Sequence, residues 1–268
     1  MFPRWFELHV IKVGGSVLRE PQDFQYVAAA IHKEAGRHPN RRYVIVVSAP
    51  HGVTQSLEVT AEALHPAPDP VALDLLWFTG EARSVSLFTL CLQAVGVSAR
   101  ALNAHQSGLI RTDNRNQDEP IQVIPNTIIA GLTACRAVVV PGFFATDPSG
   151  NIVSLGRGGS DLSAVLLAAA LEADRCELIK DVPGYFTHDP KTSAAPTHLP
   201  ELRYEEALRF AEAGSRLVQG EALKLAARTE TPLVIRSLSA DGLSTVVGRR
   251  NQKIRKAIDL RGVAAAVA

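Results

Sequence analysis

The chain has 268 residues, 46% of them hydrophobic, with 28 basic against 27 acidic side chains and a formal net charge of +1. That is enough apolar material for one large or two small cored domains, and it argues against disorder. So even a charge balance advertises neither a nucleic-acid nor a membrane partner, and any anionic ligand must be held by locally placed groups. Cys91, Cys135 and Cys176 stand far apart in apolar settings without CxxC spacing, which reads as reduced core residues of a cytoplasmic protein. The opening "MFPRWFELHVIKVGG" lacks the uninterrupted apolar core of a signal peptide, and no segment reaches the ~18 apolar residues of a membrane span.

Strand-like and helix-like runs alternate. "LHVIKV" reads as a short strand, "FQYVAAAIHKEAG" as a helix closed by glycine, and "RRYVIVVSAP" as a strand buried on both faces and stopped by Pro50. "DPVALDLLWFTGEARSVSLFTLCLQAVG" carries a long helical pattern interrupted at Gly80, and "SARALNA" resumes extended structure. A helical stretch near 121–133 leads to "RAVVVPGFFAT", read as one buried strand. The second half repeats the rhythm with a helix at 161–173, the strand "CELIKDV", the turn-rich "HDPKTSAAPTH", the helices "YEEALRFAEAG" and "GEALKLAARTE", and the strand "TPLVIRS". The closing "GVAAAVA" is apolar enough for a terminal strand. Strands separated by helices predict an α/β fold, a three-layer αβα sandwich with a mostly parallel central sheet. A lobe boundary is placed near residue 150, at "DPSGN".

In such sheets ligands collect beyond the carboxyl ends of the strands. "IKVGGS" puts Lys12 at a strand end, followed by Gly14, Gly15 and Ser16. Adjacent glycines let the backbone approach a ligand while the ammonium supplies charge, which suits phosphate, although a Gly-Gly turn after a strand is common. "VVSAPHGVT" repeats the theme with Ser48, Gly52 and Thr54, and "TGEARS" sets Glu81 behind a glycine near a helix start, as a ligand group or a solvated or capping residue. "GRGGSDLSA" is the most specific segment: a glycine-rich loop entering a helix, where unpaired N–H groups attract anions. There Arg157 can grip a carboxylate, Ser160 or Asp161 can cap, and Asp161 can be held by Lys12. "IKDVPGYFTHDPK" offers Asp181 and two aromatic residues for a nucleotide, or is simply a turn.

Taken in order, "KVGGS", "SAPHGVT", "TGE", "RTDN", "GRGGSD", "KDVPGYFTHDP" and "GSRLVQGEA" resemble the amino-acid kinase superfamily, and most closely the catalytic domain of aspartate kinases, over about residues 9 to 248. The resemblance implies ATP-dependent phosphorylation of an amino-acid carboxylate, with L-aspartate the favoured acceptor. It implies that a lobe of residues 1–150 binds the amino acid and a lobe of residues 151–268 binds ATP. Thr54, Glu81, Phe143, Arg157 and Ser160 fall where aspartate is held. Lys12, Gly14, Gly15, Ser16, Ser48, Asp161, Asp181, Phe186, Lys191 and Arg216 fall where ATP sits, and Lys12, Asp161 and Arg157 where the chemistry is done. Mg²⁺ would be held mainly by the phosphates, and a homodimer is expected from the family.

The match departs from the family in places. Lys180 stands where Thr precedes Asp181, Tyr185-Phe186 replaces the x-Tyr pair, Arg216 replaces a phosphate lysine, and Gln219-Gly220 replaces His-Pro. Arg and Lys are not equivalent at a phosphate. The stretch between "HGVT" and "TGE" is short, and the chain stops where paired regulatory domains begin in the family, so feedback by lysine or threonine through such domains is expected to be absent. Two other readings remain open, a different small acidic acceptor and a non-catalytic nucleotide-binding protein.

Overall fold

The computed structural model describes residues 5–112, 121–156, 158–188, 190, 195–238 and 242–249. Arg157, Lys191 and the "GVAAAVA" segment, with part of "RTDN", lie outside them.

The first unit is β1 (Glu7–Val13), α1 (Pro21–Arg37) and β2 (Arg41–Val47). The helix starts with Pro21 in its first turn, where a missing N–H costs nothing, and the Asp23 carboxylate accepts the Glu20 N–H at 3.0 Å. Two helices follow, α2 (Val53–Leu64) and α3 (Pro70–Ala94). The expected break at Gly80 does not occur: α3 runs uninterrupted for 25 residues. Gly80 is needed instead for packing, since a Cβ there would lie 3.0 Å from Ala49 Cβ and 3.1 Å from Val53 Cγ1.

Next come β3 (Ala99–Ala101), α4 (Ala104–Ser107), β4 (Leu109–Arg111), β5 (Ile121–Val123) and α5 (Asn126–Ala134). The helix expected from residue 121 thus begins five residues later, because Ile121–Val123 pairs with β4. The "RAVVVPGFFAT" run is two strands, β6 (Ala137–Pro141) and β7 (Phe144–Thr146), in different sheets. Beyond β8 (Ile152–Ser154) and α6 (Gly159–Ala170) lie β9 (Arg175–Ile179), β10 (Tyr185–Phe186), β11 (His198–Leu199) and β12 (Glu201–Leu202). The described chain closes with α7 (Tyr204–Glu212), α8 (Gly220–Arg228), β13 (Leu233–Arg236) and β14 (Ser244–Val247).

The main sheet has eight strands in the order β12-β14-β13-β9-β1-β2-β6-β3. From β13 to β3 all neighbours are parallel, and β14 is antiparallel to β13. Strand alternation divides the core. Val10, Val44, Val138 and Leu178 face a cluster with α5, α6, α7 and α8, whereas Ile11, Ile45, Val139 and Ile179 face α1 and α3. This is the three-layer arrangement with a mostly parallel centre that the alternation of elements implies, and each fully buried aliphatic side chain contributes about 1.5–3 kcal/mol. A smaller sheet, β5-β4-β7-β8, flanks one end, and residues 147–151 form the turn between β7 and β8.

Beneath α1 the apolar face gives way to charge. Glu177, fully buried, accepts from Arg236 Nε at 2.7 Å and lies 3.1 Å from Arg175 Nε, and Arg41 pairs with both Glu7 and Glu34. Burial opposes ionisation of the Glu177 carboxyl, but Arg236 foremost, then His9 and Arg175, hold it low. Nothing in the alternating pattern of β1 and β9 signals this network, because Glu177 and Arg175 occupy positions that read as core.

Candidate functional site

The chemistry-bearing residues converge at the carboxyl ends of β1, β2 and β9. Lys12, the penultimate residue of β1, is buried, and its Nζ lies 3.0 Å from Asp161 Oδ1 on the first turn of α6. After β1 the chain turns through Gly14 and Gly15. Gly14 N donates to the Ile179 carbonyl at 3.3 Å, and a Cβ on Gly15 would sit 2.4 Å from the Ala49 carbonyl oxygen. The second glycine is therefore demanded by the adjoining loop as well as by any ligand. Ser48 N donates to Val13 O at 3.3 Å, tying the β2 loop to the same turn.

Asp161 is the electrostatic centre. Neither it nor Ser160 caps α6: the N-cap is Gly158, with φ +78°, which has no side chain to bond the first turn's N–H groups. Both carboxylate oxygens are taken by cations instead, Oδ1 by Lys12 and both by Lys180 Nζ at 2.9 and 2.7 Å. Burial pushes the Asp161 carboxyl up, but Lys12 and then Lys180 outweigh it and hold the pKa at about 2. Lys180, just after β9, is thus turned inward, its side chain 11% exposed. Burial, then repulsion from Lys12, brings its ammonium down to about 8.

A second group of residues lies on the α3 side. Glu81 is 3% exposed in the middle of α3, not near a helix start, and is neither solvated nor a cap. Its Oε1 accepts from Ala49 N at 3.2 Å, while Oε2 is buried without a partner among the described residues. Burial raises its carboxyl to about 7 against the opposing pull of the Ala49 N–H. Thr54, half-buried, opens α2 just beyond this loop.

Phe143 has φ +72°, a left-handed conformation that costs a bulky residue about 1–2 kcal/mol and therefore marks a position the surroundings dictate. Its N–H donates to Ser163 Oγ at 3.2 Å, and its ring meets Phe144 at 4.9 Å and Trp77 at 6.4 Å. Gly142, just before it, allows the approach of Ser160, whose Cβ would lie 2.8 Å from a Cβ there. Trp77 escaped the sequence reading. Its Nε1 is buried without a partner among the described residues, and it stands four residues before Glu81, on the same side of α3. That i, i+4 spacing was the available signal.

The remaining candidates are peripheral. Asp181 is exposed, with Ser16 Oγ 3.5 Å from its Oδ1, the long limit of a hydrogen bond. The Phe186 ring is half-buried against His198 at 5.2 Å, and Arg216 is exposed in the loop between α7 and α8. The structure therefore brings together Lys12, Gly14, Gly15, Ser48 and Asp161, and separately Phe143 with Ser160, while Arg216 stands apart in solvent. Cys91, Cys135 and Cys176 are free thiols, and burial pushes the Cys176 thiol up. No helix of the described residues is long and apolar enough to cross a membrane.

A parallel sheet whose carboxyl edge carries a buried ammonium, a double-glycine turn and a glycine-led helix N-terminus defines an α/β protein built to receive an anionic ligand. The chain matches the Amino acid kinase family over residues 7–237, and it belongs to that family. It is 35% identical over 243 residues to an aspartokinase of Mycolicibacterium smegmatis, covering 90% of this chain and 57% of that protein. It is 36% identical over 243 residues to an aspartokinase of Pseudomonas aeruginosa, covering 90% and 58%. An aspartate kinase structure from Synechocystis superposes with a TM-score of 0.80 at 33% identity, covering 93% of this chain and 41% of that one. The chain thus spans a little over half the length of the two sequence relatives and less than half of the Synechocystis chain.

Proposed function

We propose that this protein transfers the γ-phosphoryl group of ATP to a carboxylate of a small amino acid, L-aspartate, giving 4-phospho-L-aspartate and ADP. One observation carries the reading. Ala49 joins two opposed receptors, its carbonyl lying over the Gly15 turn beside Lys12 and its N–H on Glu81, whose other oxygen is buried without a partner among the described residues. An acceptor bearing an ammonium and a carboxylate fits between them: the ammonium satisfies Glu81 Oε2 and the carboxylate faces the cationic turn. In this reading Thr54, Phe143, Ser160 and Arg157 complete the acceptor pocket. Ser16, Asp181, Phe186, Lys191 and Arg216 are assigned to the nucleotide, and the half 1–150 serves chiefly the acceptor and 151–268 chiefly the nucleotide, with Lys12 and Ser16 of the first also serving the phosphates and Ser160 and Arg157 of the second also serving the acceptor.

The acceptor carboxylate, with an ordinary pKa near ~3.9, is already ionised at neutral pH and needs no general base. One of its oxygens forms a bond to Pγ as the bond from Pγ to the ADP oxygen breaks, with no proton transferred. The barrier is the approach of two anions. Lys12 and the backbone N–H groups of the glycine turns meet the charge of the transferring group, so catalysis rests on position and positive charge. Asp161, with both oxygens on ammonium groups, orients Lys12 rather than accepting a proton.

The donor set suits a Mg²⁺ ion that arrives on the triphosphate: the acid nearest the cluster is already saturated by cations. When bound, the ion would supply charge neutralisation between phosphate oxygens. The reading further carries a homodimer and a cytoplasmic location, in keeping with three free thiols.

The test is ADP release with hydroxylamine trapping of acyl phosphate across a panel of acidic amino acids and Mg-ATP. Hydroxamate formed with aspartate is the expected result. ADP release only with another acid would replace the acceptor, and ATP binding without turnover would end the catalytic reading. Lys12→Ala should keep the fold and lose on the order of 100-fold or more in turnover, judged from a single charge-stabilising donor.

A further inference from the structure

Lys180 is the one member of the central ion cluster to which the reaction above gives no task. A single ammonium from Lys12 is enough to neutralise Asp161, yet a second is delivered to the same carboxylate from the adjacent strand β9. The three side chains are 9%, 4% and 11% exposed for Lys12, Asp161 and Lys180, so the cluster holds a net charge of +1 almost out of water. Concentrating like charges this way costs stability unless an anion completes the set. Donor geometry points the same way. An ammonium has three N–H donors, and two of those on Lys180 are used by Asp161, while Lys12 spends one. The space above Lys12 is kept clear by Gly14, where a Cβ would come within 3.1 Å of the ammonium nitrogen. Besides Lys12 and Asp161, Asp181 is the charged group acting on Lys180, one residue further along at the sheet's carboxyl edge.

We propose that Lys180 is a second phosphate-binding cation, and that Lys12, Asp161 and Lys180 form a net-cationic cluster that receives the terminal phosphates of the nucleotide. Asp161 is the hub that keeps the two ammonium groups at a fixed spacing, and the incoming phosphate oxygens satisfy the donors it leaves over. The proposal rests on the phosphoryl-transfer reading of the site.

The experiment compares wild type, Lys180→Met and Lys180→Arg by calorimetric binding of a non-hydrolysable Mg-ATP analogue, ADP and adenosine. Loss of one charge-assisted contact predicts a roughly 10- to 100-fold weaker triphosphate in Lys180→Met, with adenosine unchanged and partial recovery in Lys180→Arg. Equal weakening of all three ligands, or equal triphosphate affinity in Lys180→Met and wild type, overturns the proposal. A parallel measurement needs no variant: the triphosphate analogue should protect Lys180 of the wild type from amine acetylation, read by mass spectrometry, whereas adenosine should not. Identical labelling with both ligands overturns it as well. A wild type that binds no triphosphate refutes the phosphoryl-transfer reading along with the proposal. A wild type that binds it, beside an unaffected Lys180→Met, refutes the role of Lys180 alone.

Discussion

Replacing Asp161 by asparagine keeps the outline of the side chain and removes the charge that Lys12 and Lys180 share. Each ion pair, at 2.7 to 3.0 Å, is worth about 5–6 kcal/mol in gross Coulomb terms at an effective dielectric constant of 20, and desolvation takes back most of it. The net is read from the carboxyl's pKa, held at about 2 against an ordinary 3.8, which corresponds to about 2 kcal/mol. Because this folded pKa is depressed, the stabilisation is present above about pH 4 and is lost as pH falls through about 2. In the variant two buried ammonium groups also lose their counter-charge, so the expected deficit at pH 7 rises to about 3–5 kcal/mol. That is a fall of roughly 6–15 °C in Tm for a chain of this size.

The deficit should also depend on pH. Without Asp161 the Lys180 pKa drops below its present value of about 8, while the unfolded side chain stays near ~10.4. The unfolded variant then binds more protons than the folded one, so the variant gains stability as pH rises and the gap to wild type narrows between pH 6 and 8. Urea denaturation of both proteins across that range measures it. A deficit under about 1 kcal/mol at pH 7, or one that widens with pH, would refute the reasoning.

Glu81→Gln should stabilise the free protein at pH 8 by about 1–3 kcal/mol, because a carboxyl raised to about 7 penalises folding as pH climbs past it; a thermal melt with no gain would contradict this. The same group makes the affinity for an amine-bearing acceptor fall below pH 7, as Glu81 protonates, so the aspartate KM should rise about tenfold per unit there; a KM flat from pH 5.5 to 8 would count against Glu81 as the ammonium receiver. Gly15→Ala forces a Cβ to within 2.4 Å of the Ala49 carbonyl and should cost about 1–3 kcal/mol together with most of the turnover, with a wild-type melting curve as the contrary result. Cys176, buried with its thiol pKa pushed up, should stay unlabelled by a thiol reagent in the native protein while Cys91 and Cys135 react; native labelling of Cys176 would show that strand β9 is open to solvent.

Local pattern alone determined the layered α/β architecture, because buried parallel strands and core-facing helices must repeat their apolar residues at periods of 2 and 3.6. It also singled out Lys12, the glycine pair and Asp161, since a cation, bare turns and an anion at element ends have few uses in a core. Short elements were less legible. Ile121–Val123 is a strand only because β4 lies beside it, and the run from Ala137 to Thr146 divides only because Phe143 takes a left-handed turn into a different sheet. Gly80 looked like a break because propensity is local, whereas α3 keeps it for the close approach of Ala49 and Val53. The direction of each charged side chain was decided by tertiary structure alone. Lys180 turns in to Asp161, Glu81 is buried beneath α3 with one oxygen unpartnered among the described residues, and Glu177 sits among arginines, since these partners come from strands and helices distant in sequence and meet only where the sheet sets them side by side.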